Sequence, residues 1–402
     1  MTTSPLAETP TAVNHATSPG GAGLSADDPA LARLIDQVRT AQAAGQGLCI
    51  SGHGSKAFHG GPLAGERLDT TALAGISSYE PTELVVTARA GTPLAELEAV
   101  LAERGQCLAF EPPRFRGGGV VLNGTVGGAV ATGLSGPARA SVGALRDFVL
   151  GATLLSGRGE VLSFGGQVMK NVAGYDVSRL LAGSMGVLGV ILEVSLKVLP
   201  RPLATATLRF ELGEAEALQR LHAWGGQPLP LNASAWWDGM LLVRLSGAHA
   251  AVDAALARLG GERIDEALAR PFWDGLRDQE DEYFQKALAA VAGNGAKAIP
   301  GPASAALWRL SLPQTAAPIA LPGEQLIEWG GGQRWWCTPA PAARVREAAA
   351  KAGGHATLWR GGDRSAGSFT PLAEPLARIH RELKREFDPA GVFNRGRLYP
   401  DF

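Results

Sequence analysis

The chain has 402 residues, room for two or three domains at roughly 100–200 residues each and for a core that folds without staples. With 46% apolar and 19% charged residues it cannot be disordered in bulk, while 53 glycines and 26 prolines, about a fifth of the chain, make it rich in loops. Lys plus Arg (37) nearly cancel Asp plus Glu (38), which leaves no field to hold a polyanion and excludes nucleic acid as an expected partner.

Residues 1–27 carry no Lys or Arg and no apolar run, so they read as a disordered tail rather than a secretion signal. The first helix is expected at Asp28-Pro29, a cap before a proline, with Leu31, Leu34, Ile35 and Val38 on one face and Gly45 as its stop. Leu48-Cys49-Ile50 is a short strand that feeds a Gly-rich loop, Ser51–Lys56. Pro81–Thr87 reads as a strand, followed by a helix between Thr92-Pro93 and Gly105. From Arg116 to Gly136 the side chains are too small to build a core alone, so something must fill the space above them. Asp147–Leu155 and Glu160–Phe164 flank Ser156-Gly157-Arg158-Gly159 as a hairpin, and the alternation over residues 190–198 predicts a half-buried strand.

All nine tryptophans follow Pro200-Arg201-Pro202, which places a domain boundary near 200, between units 28–202 and 203–402. Helices predicted at 249–259, 341–352 and 372–387, with strands such as Met240–Leu245, make the second unit α+β. Residues 288–325, rich in Ala, Pro and Gly, are expected to be partly mobile. No apolar run reaches the ~18 residues of a membrane span. Cys49, Cys107 and Cys337 are scattered and without C-x-x-C, so neither a disulfide framework nor an iron–sulfur cluster is expected, and no metal site; a cytoplasmic setting follows.

Small-residue clusters recur at 51–56, 117–128, 170–176 and 183–189. Glycines let main-chain N–H groups approach a diphosphate. One such cluster reads equally well as a surface turn; four beside apolar strands do not. Gly52-His53-Gly54-Ser55-Lys56-Ala57 fits G-x-G-x-x-G/A, but Phe58–Pro62 cannot be the helix that motif requires, and no Walker loop exists. A different dinucleotide fold is required.

Gly52–Lys56, Gly124–Gly128, Lys170–Asp176 and Gly183–Val190 resemble the FAD-binding loops of the vanillyl-alcohol oxidase superfamily, of PCMH type, and Phe387–Asn394 resembles its closing segment. Within it the match is to the smaller FAD-binding subunits of bacterial glycolate oxidases, through Trp236–Gly239, Glu328–Gly331 and Gly354–Thr357, and covers about residues 30–402. The resemblance implies an α+β fold: a two-subdomain FAD-binding domain, then a smaller α+β domain whose C-terminal segment returns to the first. It implies that Gly52, His53, Gly54, Ser55 and Lys56 form the first phosphate loop and that Thr125, Gly127 and Gly128 form the second, with Thr132 and Ser135 as hydroxyl donors. Gly183, Ser184, Gly189 and Val190 would contact the adenosine or ribityl part. Asn171, Tyr175 and Asp176 are further candidates, Asp176 reading equally as a helix cap.

Gly54 stands where superfamily members often carry a flavin-linked histidine, so the FAD is expected to be non-covalent, with His53 one place away as the alternative anchor. The closing segment continues Asn394-Arg395-Gly396-Arg397, where the superfamily usually has a proline after the asparagine. Superfamily 2-hydroxy-acid dehydrogenases place paired histidines near the flavin; Gly354–Asp363 holds one. Oxidation needs a base and a carboxylate anchor. His355 and Arg360 are the candidates, against a reading as a core histidine beside a surface arginine. His222, His249 and His380 read as solvated, and the tryptophans as core. The implied function is oxidation of glycolate or a similar small 2-hydroxy acid, with a larger FAD-containing catalytic subunit and an iron–sulfur subunit as partners and at most peripheral membrane contact. The alternative is a flavin-holding scaffold or electron relay without substrate chemistry, and a third reading is an independent oxidase.

Overall fold

The computed structural model describes residues 24–25, 27–117, 120–121, 124–166, 176–293, 305–365 and 367–402. The helix Pro29–Ala44 begins with Asp28 Oδ1 accepting from the Ala30 and Leu31 N–H groups and ends at Gly45, in the left-handed region at φ 64°. Its buried face packs on Leu48 and Leu68, the interior residues of two short parallel strands, Leu48–Ser51 and Glu66–Asp69.

A five-stranded antiparallel sheet follows, in the order Ile76–Glu80, Val85–Arg89, Val190–Lys197, Val149–Leu155, Val161–Gly165. The hairpin closes as its turn residues predict, Leu155 opposite Val161. Three details differ from the sequence expectations. Pro81–Glu83 is a 3-10 turn and the strand starts only at Val85, because proline has no N–H to give a ladder and Leu84 sits at φ 56°. Asp147 lies in a short helix, Leu145–Phe148. Val190–Lys197 is the central strand and is covered on both faces rather than half-buried. Val190 and Leu192 join the core under the first helix, whereas Val194 and Leu196 join a second core with the helix Leu94–Glu103; a register shift between Ile191 and Glu193 accompanies the change of face.

The second sheet has eight antiparallel strands, in the order Glu262–Ile264, Ala204–Glu211, Met240–Gly247, Leu231–Trp237, Glu324–Glu328, Gln333–Thr338, Ala306–Ser311, His355–Arg360. Helices Glu214–Gly225, His249–Leu259 and Ala342–Lys351 cover one face. Helices Glu266–Asp278 and Glu282–Ala292 cover the other, together with Phe115 and Leu134 of the Gly-rich half. Six tryptophans are buried. Within 288–325 the helix continues to Ala292 and Ala306–Ser311 is a strand; residues 294–304 lie outside the described residues.

The helix Glu374–Phe387 turns the chain back. Lys384 Nζ donates to the carbonyls of Val187 and Phe393 and to Asp388 Oδ2, while Asp388 accepts from the Val392 and Phe393 N–H groups. Val392 then accepts from Leu48 N–H, so the last residues lie beside the first strand.

Candidate functional site

The loop Gly52–Lys56 emerges from the end of Leu48–Ser51 and faces the start of the helix Val126–Thr132 across a cavity. Thr125 caps that helix, its Oγ1 accepting from Gly128 N–H at 3.1 Å. Gly54 needs glycine for its φ of 73°. Gly127 needs it for another reason: a Cβ there would lie 2.6 Å from Ala90 Cβ, so this glycine lets the helix pack onto the strand Val85–Arg89.

The donors of this cavity suit a diphosphate. The N–H groups of Gly54, Ser55 and Lys56 have no acceptor among the described residues. Lys56 Nζ is buried, and among the described residues only Ser55 Oγ, at 3.5 Å, is in hydrogen-bonding reach. Burial pushes its pKa down to about 8, against a smaller opposing pull from Asp278. A desolvated ammonium beside a run of main-chain donors is costly until an anion meets it.

The cavity brings together Gly52, His53, Gly54, Ser55, Lys56, Thr125, Gly127, Gly128 and Thr132. Thr132 Oγ1 donates back to the Gly128 and Ala129 carbonyls. Ser135 is not among them: its hydroxyl accepts from Leu145 N–H and it lines a separate cleft. Gly189 and Val190 are packed inside, the former against the Leu155 carbonyl and the latter fully buried. Gly183 and Ser184 belong to a turn whose next residues, Met185 and Gly186, line the cavity instead. Asp176 is exposed and caps a short helix, accepting from Arg179 N–H. Asn171 and Tyr175 lie outside the described residues.

Two contributors escaped the sequence reading. Asn394 Oδ1 accepts from Ile50 N–H at 2.8 Å and its Nδ2 donates to the Met185 carbonyl at 2.7 Å, which joins two loops of the cavity. Arg397, which also lines the cavity, donates to the Lys56 and Ala57 carbonyls and so braces the end of the loop Gly52–Lys56. The signal was present in the closing segment, whose polar residues had no assigned partner.

His355 and Arg360 are not brought together. They sit at opposite ends of one strand, roughly 16 Å apart at the usual rise per residue. His355 is exposed, and Arg360 lies over the Phe58 ring with Nη1 unpartnered among the described residues. Beyond Lys56 the junction of the two halves is aromatic: the Trp359 ring packs on Phe58 at 5.2 Å, His59 at 4.7 Å and Trp335 at 5.1 Å. His59 is held neutral, burial first and Arg309 next pushing its pKa well down.

The FAD binding domain family matches residues 31–165. Over 368 residues the chain is 46% identical to glycolate oxidase subunit GlcE of Escherichia coli (strain K12), spanning 92% of this chain and 97% of that protein. Shorter matches are to D-lactate dehydrogenase of Anaerostipes hadrus, 32% identical over 36% of this chain and 29% of that one, and to glycolate oxidase subunit GlcD of Bacillus subtilis (strain 168), 37% identical over 21% and 18%. Among solved structures, an alkyldihydroxyacetonephosphate synthase shares the fold with a TM-score of 0.56 at 15% identity, over 90% of this chain and 73% of that one. With nearly half of its residues identical over almost the full length of both proteins, the chain belongs to the family of glycolate oxidase subunit GlcE.

Proposed function

We propose that this chain is the FAD-binding subunit of a complex that oxidises glycolate, or a similar small 2-hydroxy acid, to the 2-oxo acid. A larger FAD-containing subunit and an iron–sulfur subunit are its partners. The observation that carries this is the cavity in which main-chain donors of Gly54–Lys56, without an acceptor among the described residues, meet a buried lysine, in a chain so close to a glycolate oxidase subunit. FAD bound there, without a covalent link, supplies the two-electron oxidant. The residues of this chain then have distinct tasks. Gly54, Ser55 and Lys56 bind the diphosphate, Thr125 and Gly127 fix the helix facing it, and Asn394 and Arg397 hold the loop in place. Residues 28–202 form the FAD unit, and 203–402 the cap, whose C-terminal segment returns to the FAD unit. No helix among the described residues is long and apolar enough to cross a membrane, which fits contact with a membrane through partners at most.

The separation of His355 and Arg360 favours a second reading, in which this chain holds flavin and a partner subunit performs the substrate chemistry. One measurement divides them: the visible spectrum of the purified chain, followed anaerobically as glycolate is added. A flavin band that bleaches supports the first reading, an unchanged band the second, and a colourless preparation overturns both.

A further inference from the structure

The aromatic junction beside the dinucleotide cavity collects cations. Lys56 and Arg397 line the cavity itself. Next to them the Arg360 guanidinium lies over the Phe58 ring and 5.7 Å from the centre of the Trp359 ring, and Arg309 stands 5.7 Å from that same ring. Arg364 donates to the Gly60 and Trp359 carbonyls and to Ser368 Oγ. None of these five groups forms an ion pair with a carboxylate among the described residues, in a chain whose net charge is −1. His59 shows how closely they gather. It is 4% exposed and packed against Trp359 and Phe369, and after burial itself Arg309, Arg397, Arg360 and Arg364 each push its pKa down. The acids in range offset little of this. Asp278, which opposes the fall at Lys56, already accepts from Arg277 and from Arg114 N–H, and burial raises Glu328, the acid acting on Arg309, to about 7.

Cations removed from water and left without a countercharge favour any nearby change that brings in negative charge, and a low-dielectric setting enlarges the effect. The diphosphate of FAD carries the same charge in both redox states. Its ring does not: it is neutral when oxidised, and at neutral pH it becomes an anion on taking up two electrons and one proton. We infer that the unpaired guanidinium groups of Arg309, Arg360, Arg364 and Arg397 set the reduction potential of the bound flavin, raising it by favouring the anionic reduced form. They act as positioning residues for charge and need not touch a substrate, so the inference holds whichever subunit oxidises the acid. It rests on the reading that FAD occupies this cavity. Burial, with Arg364 adding to it, lowers the Arg360 pKa to about 9, which leaves that side chain charged at neutral pH. Its Nη1 has no partner among the described residues.

The test is an anaerobic reductive titration of the full-length, FAD-loaded chain at pH 7 against a reference dye, with free FAD measured alongside. The unaltered chain is expected to have the higher midpoint potential of the two. Arg360→Met and Arg309→Met are each expected to shift the balance between oxidised and reduced flavin about tenfold towards the oxidised form, a fall of about 30 mV for a two-electron couple. Arg360→Lys keeps the charge and is expected to keep the potential. Arg209→Met, which removes a charge paired with Glu262 on the outer part of the large sheet, is expected to change nothing. Sulfite gives a second reading, because its lone pair bonds to the flavin N5 and places the same negative charge on the ring. Its affinity, followed by bleaching of the visible band, is expected to fall about tenfold in Arg360→Met. An unchanged potential and sulfite affinity in Arg360→Met and Arg309→Met overturn the inference, as does an equal loss in Arg360→Lys, which would mark a packing role. Should the variants not fold, the unaltered chain decides: a potential at or below that of free FAD also overturns it. A chain that purifies without FAD counts against the proposed function, whereas one that holds FAD at the free potential counts against this inference alone.

Discussion

Lys56 shows how one residue carries opposed costs. Its ammonium is disfavoured by burial in the FAD-free fold, where its pKa falls from 10.5 to about 8. Below pH 8 the charged amine therefore subtracts from stability, and that cost fades as pH rises from about 8 towards 10.5. A bound diphosphate reverses the preference, so FAD affinity is expected to fall as pH rises through about 8. Lys56→Met is expected to leave the melting temperature of the FAD-free chain unchanged or higher, yet to weaken FAD about tenfold and abolish that pH dependence. Melting curves with and without FAD at pH 7 and 9 check this, and a variant that binds FAD as tightly as the original chain contradicts it. Gly127 and Gly128, adjacent in sequence, are expected to behave differently. Gly127→Val forces bulk against Ala90 and should cost about 1–3 kcal/mol of stability. Gly128→Ala meets only Thr125 Oγ1, at 3.1 Å, and should lower FAD content with little change in melting temperature. Equal losses of stability in the two variants would show that both glycines serve packing.

Elements owe their ends to local chemistry and their faces to what covers them. The first helix starts and stops at a cap and a glycine that any reader of the sequence can find, because those interactions span two or three residues. The strand Val190–Lys197 has an alternating sequence, but it sits in the middle of the sheet with a core on each side, which alternation alone does not reveal. At the C-terminal helix, Lys384 and Asp388 form an ion pair i to i+4 that is buried rather than solvated. Such a pair resists the loss of one member, since the survivor keeps its desolvation cost. Asp388→Ala, which also strips the acceptor from Val392 and Phe393 N–H, is expected to destabilise by about 3–5 kcal/mol in urea unfolding. A loss below about 1 kcal/mol would place the pair among ordinary surface contacts.

Across the whole molecule, the two halves meet over the aromatic junction of Phe58, Phe115, Trp335 and Trp359, and the chain crosses that junction more than once. The last crossing brings Asn394 and Arg397 to a loop more than 330 residues earlier. A chain ending at Gly391 loses both and is expected to purify without the flavin's visible absorption while the large sheet still forms, which circular dichroism would report. Retained flavin would mean that the loop Gly52–Lys56 stands without its brace.

The sequence by itself determined the parts that depend on short-range chemistry: the capped first helix, the hairpin at Ser156–Gly159, and the two loops Gly52–Lys56 and Thr125–Gly128 with their donors. Backbone freedom at glycine and capping by a threonine act within a few residues, so they are legible without a fold. Only the tertiary structure decided which of the other candidates reach the cavity. It turned Val190 into the core, gave Ser135 to another cleft, set His355 and Arg360 at opposite ends of a strand, and gathered Arg309, Arg364 and Arg397 around the aromatic junction. Those outcomes depend on strand order, register and burial on either face, which are properties of contacts between distant segments and leave no mark on the residues that make them.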